Sequence, residues 1–122
     1  MELDHVVLRV RDQAASQRFY TEVLGLTLDH VNEAFRLVQL RCGRHLLDLL
    51  PLGPGEAPPP TARMDHLCLS IRCEDLAAVA AYLRARGVEV EGEPVSRRGA
   101  FGQGESLYLR DPDGYRVELK PR

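Results

Sequence analysis

The chain has no tryptophan, only two methionines, seven aromatic residues in Phe and Tyr, and three cysteines among 122 residues. The cysteines, Cys42, Cys68 and Cys73, are odd in number and form no C-x-x-C pair, which argues against a disulfide framework and suits a reducing compartment. No apolar run approaches the ~20 residues that span a bilayer. The opening MELDHVVLRV lacks the basic start and long apolar stretch of a secretion signal, so a cytoplasmic address is expected. A formal charge of −2 gives no general attraction to nucleic acid or anionic membrane. Phosphate-binding loops, a Ser-His-Asp elbow and a nucleic-acid stripe are also missing. What remains, 44% hydrophobic and 28% charged, is the composition of a soluble globular protein. Its length suits one ordinary domain or two small modules sharing a surface.

The strongest signal is an internal repeat. Residues 3–12 read LDHVVLRVRD and residues 64–73 read MDHLCLSIRC, which sets His5 and His66 61 positions apart. Each copy leads into a helical pattern: QAASQRFYTEVLG, with Phe19, Val23 and Leu24 in phase and Gly25 as the stop, and EDLAAVAAYLRARG, with Leu76, Val79, Ala80 and Leu83 in phase and Gly87 as the stop. Asp12 and Glu74 or Asp75 stand where helix starts favour acids. Short alternating segments follow, near 27–32, 35–41 and 45–50 in the first half and 88–91, 105–110 and 115–120 in the second. Each half therefore reads β-α-β-β-β. The fold class is α+β: two βαβββ modules, residues 1–52 and 64–122, each a mixed sheet with its helix on the outside. PLGPGEAPPPTAR at 51–63, with five prolines and two glycines, cannot continue a strand or helix and reads as a stiff connector, the linker proper being 53–63. A module of this size is marginal alone, so the two should pair, within one chain or by exchange between two; a homodimer is expected.

Strand alternation sorts the side chains. Val6, Leu8 and Val10, and likewise Leu67, Leu69 and Ile71, should lie against the helices. The opposite faces carry His5, Val7 and Arg9 in one copy and His66, Cys68 and Ser70 in the other. Val117 and Leu119 join the helix side, leaving Arg116, Glu118 and Lys120 opposite; Tyr108 projects to the same mixed face. Asp48 aligns with Glu118 when LDLLPL is laid over VELKPR. If the mixed faces curve toward each other, His5 and Asp48 meet His66 and Glu118, a ligand set suited to Fe(II), Mn(II), Ni(II), Co(II) or Zn(II). An isolated Asp-His near a strand start is usually a surface pair or a satisfied core histidine, but here it recurs at the same place in a repeat. His30 and His45 fall outside the repeat and read as surface residues.

These residues resemble the vicinal-oxygen-chelate superfamily, which includes glyoxalase I, extradiol dioxygenases, fosfomycin-resistance enzymes and bleomycin-resistance proteins. The carriers are LDHVVLRVRD, RFYTEVLGL, MDHLCLSI and SLYLRDPDGYRVEL, spanning nearly the whole chain. DPDG at 111–114 is a turn in its own right and fixes the register of Glu118. The resemblance implies His5, His66 and Glu118 as metal ligands, with Asp48 where some members carry a fourth, reaching the ion directly, through water, or only by hydrogen bonding. It implies a small substrate bound through adjacent oxygens, with lyase, isomerase or dioxygenase chemistry, and Glu118 as the first candidate base. The opening resembles glyoxalase I, whose arginine four positions after the histidine holds a substrate carboxylate; that role would fall to Arg9. The region after Asp48 departs from that enzyme, having a short Pro-rich linker and Asp in place of Glu. VSRRGAFGQGESLY at 95–108 reads as the lip of the pocket, its glycines permitting closure, with Arg97 and Arg98 able to meet an anion and Tyr108 facing substrate. Ser106-Leu107-Tyr108 is similar to fosfomycin-resistance enzymes, which makes a transferase an alternative. A drug-sequestering protein without catalysis and a regulatory module are the others.

Overall fold

A computed structural model describes residues 3–60 and 63–122. It falls into two compact units, residues 1–60 and 61–122. The first contains β1 (His5–Val10), α1 (Gln13–Arg18), β2 (Thr27–Asn32), β3 (Leu37–Cys42) and β4 (His45–Pro51). The second contains β5 (Leu67–Ile71), α2 (Leu76–Ala85), β6 (Val90–Gly99), β7 (Gly102–Arg110) and β8 (Arg116–Pro121). The expected α+β class and both βαβββ modules are present. Each unit forms a four-stranded mixed sheet, ordered β1-β4-β3-β2 and β5-β8-β7-β6. The first strand of each module runs parallel to its last strand, and the other neighbours are antiparallel. No helix among the described residues is long and apolar enough to cross a membrane.

The helices start where the acids stand. Asp12 accepts a hydrogen bond from Ala15 N, and Asp75 accepts from Ala77 N and Ala78 N, satisfying amides that have no partner within a first turn. The first helix differs from the uniform pattern expected, because Phe19–Val23 widens into a π-helical turn. The wider turn brings both adjacent rings of Phe19 and Tyr20 into the core, edge to face with centroids 5.1 Å apart. Val23 and Leu24 are left half-buried. The aliphatic sides of the strands are buried as expected, with Leu8, Val10, Leu47 and Leu49 in the first unit and Leu69, Leu107, Leu109, Val117 and Leu119 in the second.

Two expectations need correction. The segment 95–108, expected as a glycine-containing lip, is regular strand over most of its length. It forms most of a long β-hairpin, in which Arg97 pairs with Gly104 and Gly99 with Gly102. Gly102 turns the chain at φ +99°, a conformation that side chains resist. Gly99 and Gly104 serve another purpose. A Cβ on Gly99 would lie 2.9 Å from Lys120 Cδ, and one on Gly104 would lie 3.4 Å from its Nζ. The missing side chains leave a channel for the Lys120 stem, whose buried ammonium donates to Arg97 O at 2.7 Å and Gly104 O at 2.9 Å. The second correction concerns the stretch from Pro51. That proline completes β4 opposite Val10. The residues after it then fold back as a turn, with Glu56 N donating to Gly53 O at 3.0 Å.

Candidate functional site: a braced His–carboxylate pair

In the second unit, β5 and β8 lie side by side with Cys68 opposite Glu118, and β7 sets Tyr108 opposite Glu118 from the other side. His66, just before β5, brings Nε2 to 2.9 Å from Glu118 Oε2. The same oxygen accepts the Tyr108 hydroxyl at 3.1 Å. The His66 and Tyr108 rings meet edge to face, centroids 5.5 Å apart at 88°. The other ring nitrogen of His66, Nδ1, is held by Asp65 Oδ1 at 2.5 Å. Glu118 is only 5% exposed. Burial pushes its pKa up, but the hydroxyls of Ser106 and Tyr108 and the charges of His66 and Lys120 outweigh burial and hold it below the ordinary value. Ser106 is itself fully buried. Burial, then the bond to Glu118, raise the Tyr108 phenol against the opposing pull of Arg97, so it stays a proton donor.

The first unit repeats the plan with different residues. Asp48 on β4 is buried, lies opposite Val7 and Gln39, and accepts Gln39 Nε2 on both oxygens at 3.2 and 3.0 Å. His5 Nδ1 is held by Asp4 Oδ1 at 2.7 Å. That bond is the main reason for the raised His5 pKa, opposed by burial and assisted by the charge of Asp48. Gln39 thus stands to Asp48 as Tyr108 stands to Glu118. The aspartate preceding each histidine supports the ring in both copies.

Arg9 shares the face of His5 but is engaged within its own unit. Its NH2 contacts Glu56 Oε2 at 2.6 Å, and Gly53 N donates to the same oxygen at 2.8 Å. Hydrogen bonding from Gly53, followed by Arg9, holds the Glu56 carboxyl below its usual range. Arg97 lies across from Gly104 and near the Tyr108 hydroxyl, with NH1 donating to Ser96 O at 2.9 Å. His30, expected merely at the surface, is exposed but pairs with Gln39, which puts it on the Asp48 face. His45 is half-buried at the start of β4. The residues that sequence reasoning did not single out are the supports: Asp4, Asp65, Gln39, Glu91, Arg116 and Lys120. For the two aspartates the signal was in view, because the repeat conserves Asp-His as a unit in both copies.

The donor chemistry fits a divalent ion. Asp65 takes Nδ1 of His66 and so turns Nε2 toward the carboxylate, the second-sphere arrangement that prepares imidazoles for metal binding. Among the described residues no group of three or more His, Cys, Asp or Glu side chains is placed to hold a metal ion.

Cys68 lies beside this pair. Crowding by surrounding protein, then the charge of Glu118, push its thiol up to about 11 despite Lys120. The metal-free protein is therefore expected to alkylate at Cys68 at pH 7.5 at least ~10-fold more slowly than a free cysteine. Labelling with iodoacetamide followed by mass spectrometry at pH 7.5 and 9.5 checks this; equal rates at pH 7.5 would contradict it.

The profile of the Glyoxalase/Bleomycin resistance protein/Dioxygenase superfamily matches residues 2–119. Virulence protein STM3117 of Salmonella typhimurium is 32% identical over 122 residues, covering 96% of this chain and 81% of that protein. Its crystal structure superposes with a TM-score of 0.76 over 99% of this chain and 94% of that one. Glutathione transferase FosA of Serratia marcescens is 33% identical, covering 96% of this chain and 78% of that protein. A mutant fosfomycin resistance protein, FosX, of Listeria monocytogenes, complexed with Mn(II) and 1S,2S-dihydroxypropylphosphonic acid, has a TM-score of 0.72 at 18% identity over 98% of this chain and 88% of that one. At that identity the likeness is one of fold.

Proposed function

The chain belongs to the Glyoxalase/Bleomycin resistance protein/Dioxygenase superfamily, and from that premise we propose that it is a metal-dependent enzyme acting on a small, oxygen-rich substrate. The observation that carries this reading is the pair His66 Nε2 and Glu118 Oε2, 2.9 Å apart and each braced from behind. In this reading His5, His66 and Glu118 would be the ligands, with Asp48 a further candidate. Fe, Mn, Ni, Co or Zn would suit such nitrogen and oxygen donors. When bound, the ion supplies Lewis acidity toward a substrate presenting adjacent oxygens.

The protein's own groups account for the rest. Glu118, held ionised by its neighbours, can accept a proton from a carbon or hydroxyl acidified by that polarisation. The Tyr108 hydroxyl can turn from Glu118 to a substrate oxygen, and Arg97 beside it can meet an anionic group. Arg9 can hold a substrate carboxylate only if Glu56 gives way, so a role like that in glyoxalase I requires the Gly53–Glu56 turn to open. Lyase or isomerase chemistry and ring-cleaving dioxygenation both use these roles. A fosfomycin-modifying transferase is the second reading, favoured by FosA at 33% identity. Sequestration without chemistry would leave a charged acid buried beside a histidine with no task.

The experiment is a substrate panel of hemithioacetals, catechols, and fosfomycin with thiols, each run with Fe(II), Mn(II), Ni(II), Co(II) and Zn(II). Turnover that depends on metal and disappears in His66→Ala supports the enzyme reading. Tight binding of a panel compound with no turnover under any metal would favour sequestration.

A further inference from the structure

The supports of His66 and Glu118 meet at one residue. Asp65 holds His66 and Tyr108 holds Glu118. Arg116, two residues before Glu118 on the same side of β8, touches both. Its guanidinium carbon sits 3.9 Å from the centre of the Tyr108 ring. Its NH1 lies 3.8 Å from Asp65 Oδ1, the oxygen that contacts His66. Its Nε donates to Glu91 Oε2 at 2.8 Å. Glu91 is fixed in turn, since it faces Tyr108 across the β6–β7 ladder and its other oxygen meets Arg110 NH2 at 2.7 Å.

We propose that Arg116 is a positioning residue for metal capture, locking the orientations of His66 and Glu118 through Asp65 and Tyr108 together. The inference rests on the metal reading above. Only a flat, forked cation can do this: one face stacks on the phenol, while the edge divides between two carboxylates. The Tyr108 ring is thereby held both by Arg116 over its face and by its edge-to-face contact with His66, which fixes the direction from which its hydroxyl reaches Glu118. Arg116 beside Asp65 favours the carboxylate orientation that holds Nδ1, and Nε2 remains the nitrogen directed at an ion. A lysine at 116 would keep the charge and lose both the stacking and the fork.

The test measures Mn(II) binding by calorimetry for wild type, Arg116→Gln, Arg116→Lys, Glu91→Gln and His66→Ala, alongside thermal unfolding of the metal-free proteins. Arg116→Gln is expected to weaken Mn(II) binding by ~10–100-fold, the range found when outer supports of metal ligands are removed. Unfolding temperature should hardly move, and Arg116→Lys should not restore affinity. The visible ligand-field bands of the Co(II)-loaded protein should shift in Arg116→Gln, a change that loss of a surface ion pair would not produce. Glu91→Gln, which loosens the brace without removing Arg116, should lose affinity in the same direction and serves if Arg116→Gln does not fold. In a background lacking both intermediaries, Asp65→Asn with Tyr108→Phe, Arg116→Gln should cost nothing more. Mn(II) affinity within about twofold of wild type in the Arg116 and Glu91 variants, with binding lost in His66→Ala, would overturn this inference and leave the metal reading standing. Unchanged affinity in His66→Ala as well would remove the metal reading, and this inference with it.

Discussion

Replacing His66 with alanine is expected to reduce divalent-metal affinity by on the order of 100-fold or more while leaving the protein folded. The size of the loss follows from what the imidazole does. It presents Nε2 at 2.9 Å from Glu118 Oε2, and its other nitrogen is tied to Asp65. With the ring gone, one nitrogen donor disappears and the Glu118 carboxylate loses a partner, although Tyr108 still donates to it. The fold should tolerate this because His66 precedes β5, is about one-third exposed, and belongs to neither helix nor ladder. Calorimetric titration with Mn(II), with circular dichroism as the control for folding, measures both halves of the expectation.

A second large effect is expected from the core. Leu107 on β7 is fully buried, on a strand hydrogen-bonded to β8 on one side and β6 on the other. Leu107→Ala should cost roughly 2–5 kcal/mol, the transfer of the side chain plus the cavity it leaves. Against a typical total of ~5–15 kcal/mol for a whole protein, a loss at the upper end would unfold the second module. Leu28, half exposed on β2, is the matched control, and Leu28→Ala should change stability by no more than ~0.5 kcal/mol. Urea midpoints of the two variants provide the comparison. Similar losses from both would mean that β7 does not carry the core.

The parts of the fold that were legible in the sequence are those written in local periodicity. LDHVVLRVRD and MDHLCLSIRC alternate cleanly because each strand has one face on the helices, and both helices announce their starts with Asp12 and Asp75. Both arms of the β6–β7 hairpin were legible, at 88–91 and 105–110, but not their extension through 92–104. Arginines and glycines at 97–104 break the alternation, and the reason for one of them, Gly99, lies elsewhere in the chain, in the Lys120 stem that passes close to it. The π-helical turn at Phe19–Val23 was hidden as well, since adjacent buried aromatics are compatible with an ordinary helix until the hydrogen bonds are seen.

The candidate site divides in the same way. His5, His66, Asp48 and Glu118 stood out because a repeat places them at matching positions. Gln39 and Glu91 did not, and Arg116 could be placed only on the mixed face, because the neighbours they meet depend on cross-strand register. A bulge between Glu91 and Val95 shifts that register, and Glu91 meets Arg116 across 25 positions of sequence. Alternation says which face a residue occupies, but not which neighbour it meets across the sheet.

The proposal that His5 is a metal ligand as well as His66 is tested most directly by the metal content of the purified protein and of His5→Ala. The account predicts about one divalent ion per chain in wild type and its loss in His5→Ala, although His66 and Glu118 are untouched. Full metal content in His5→Ala would contradict it.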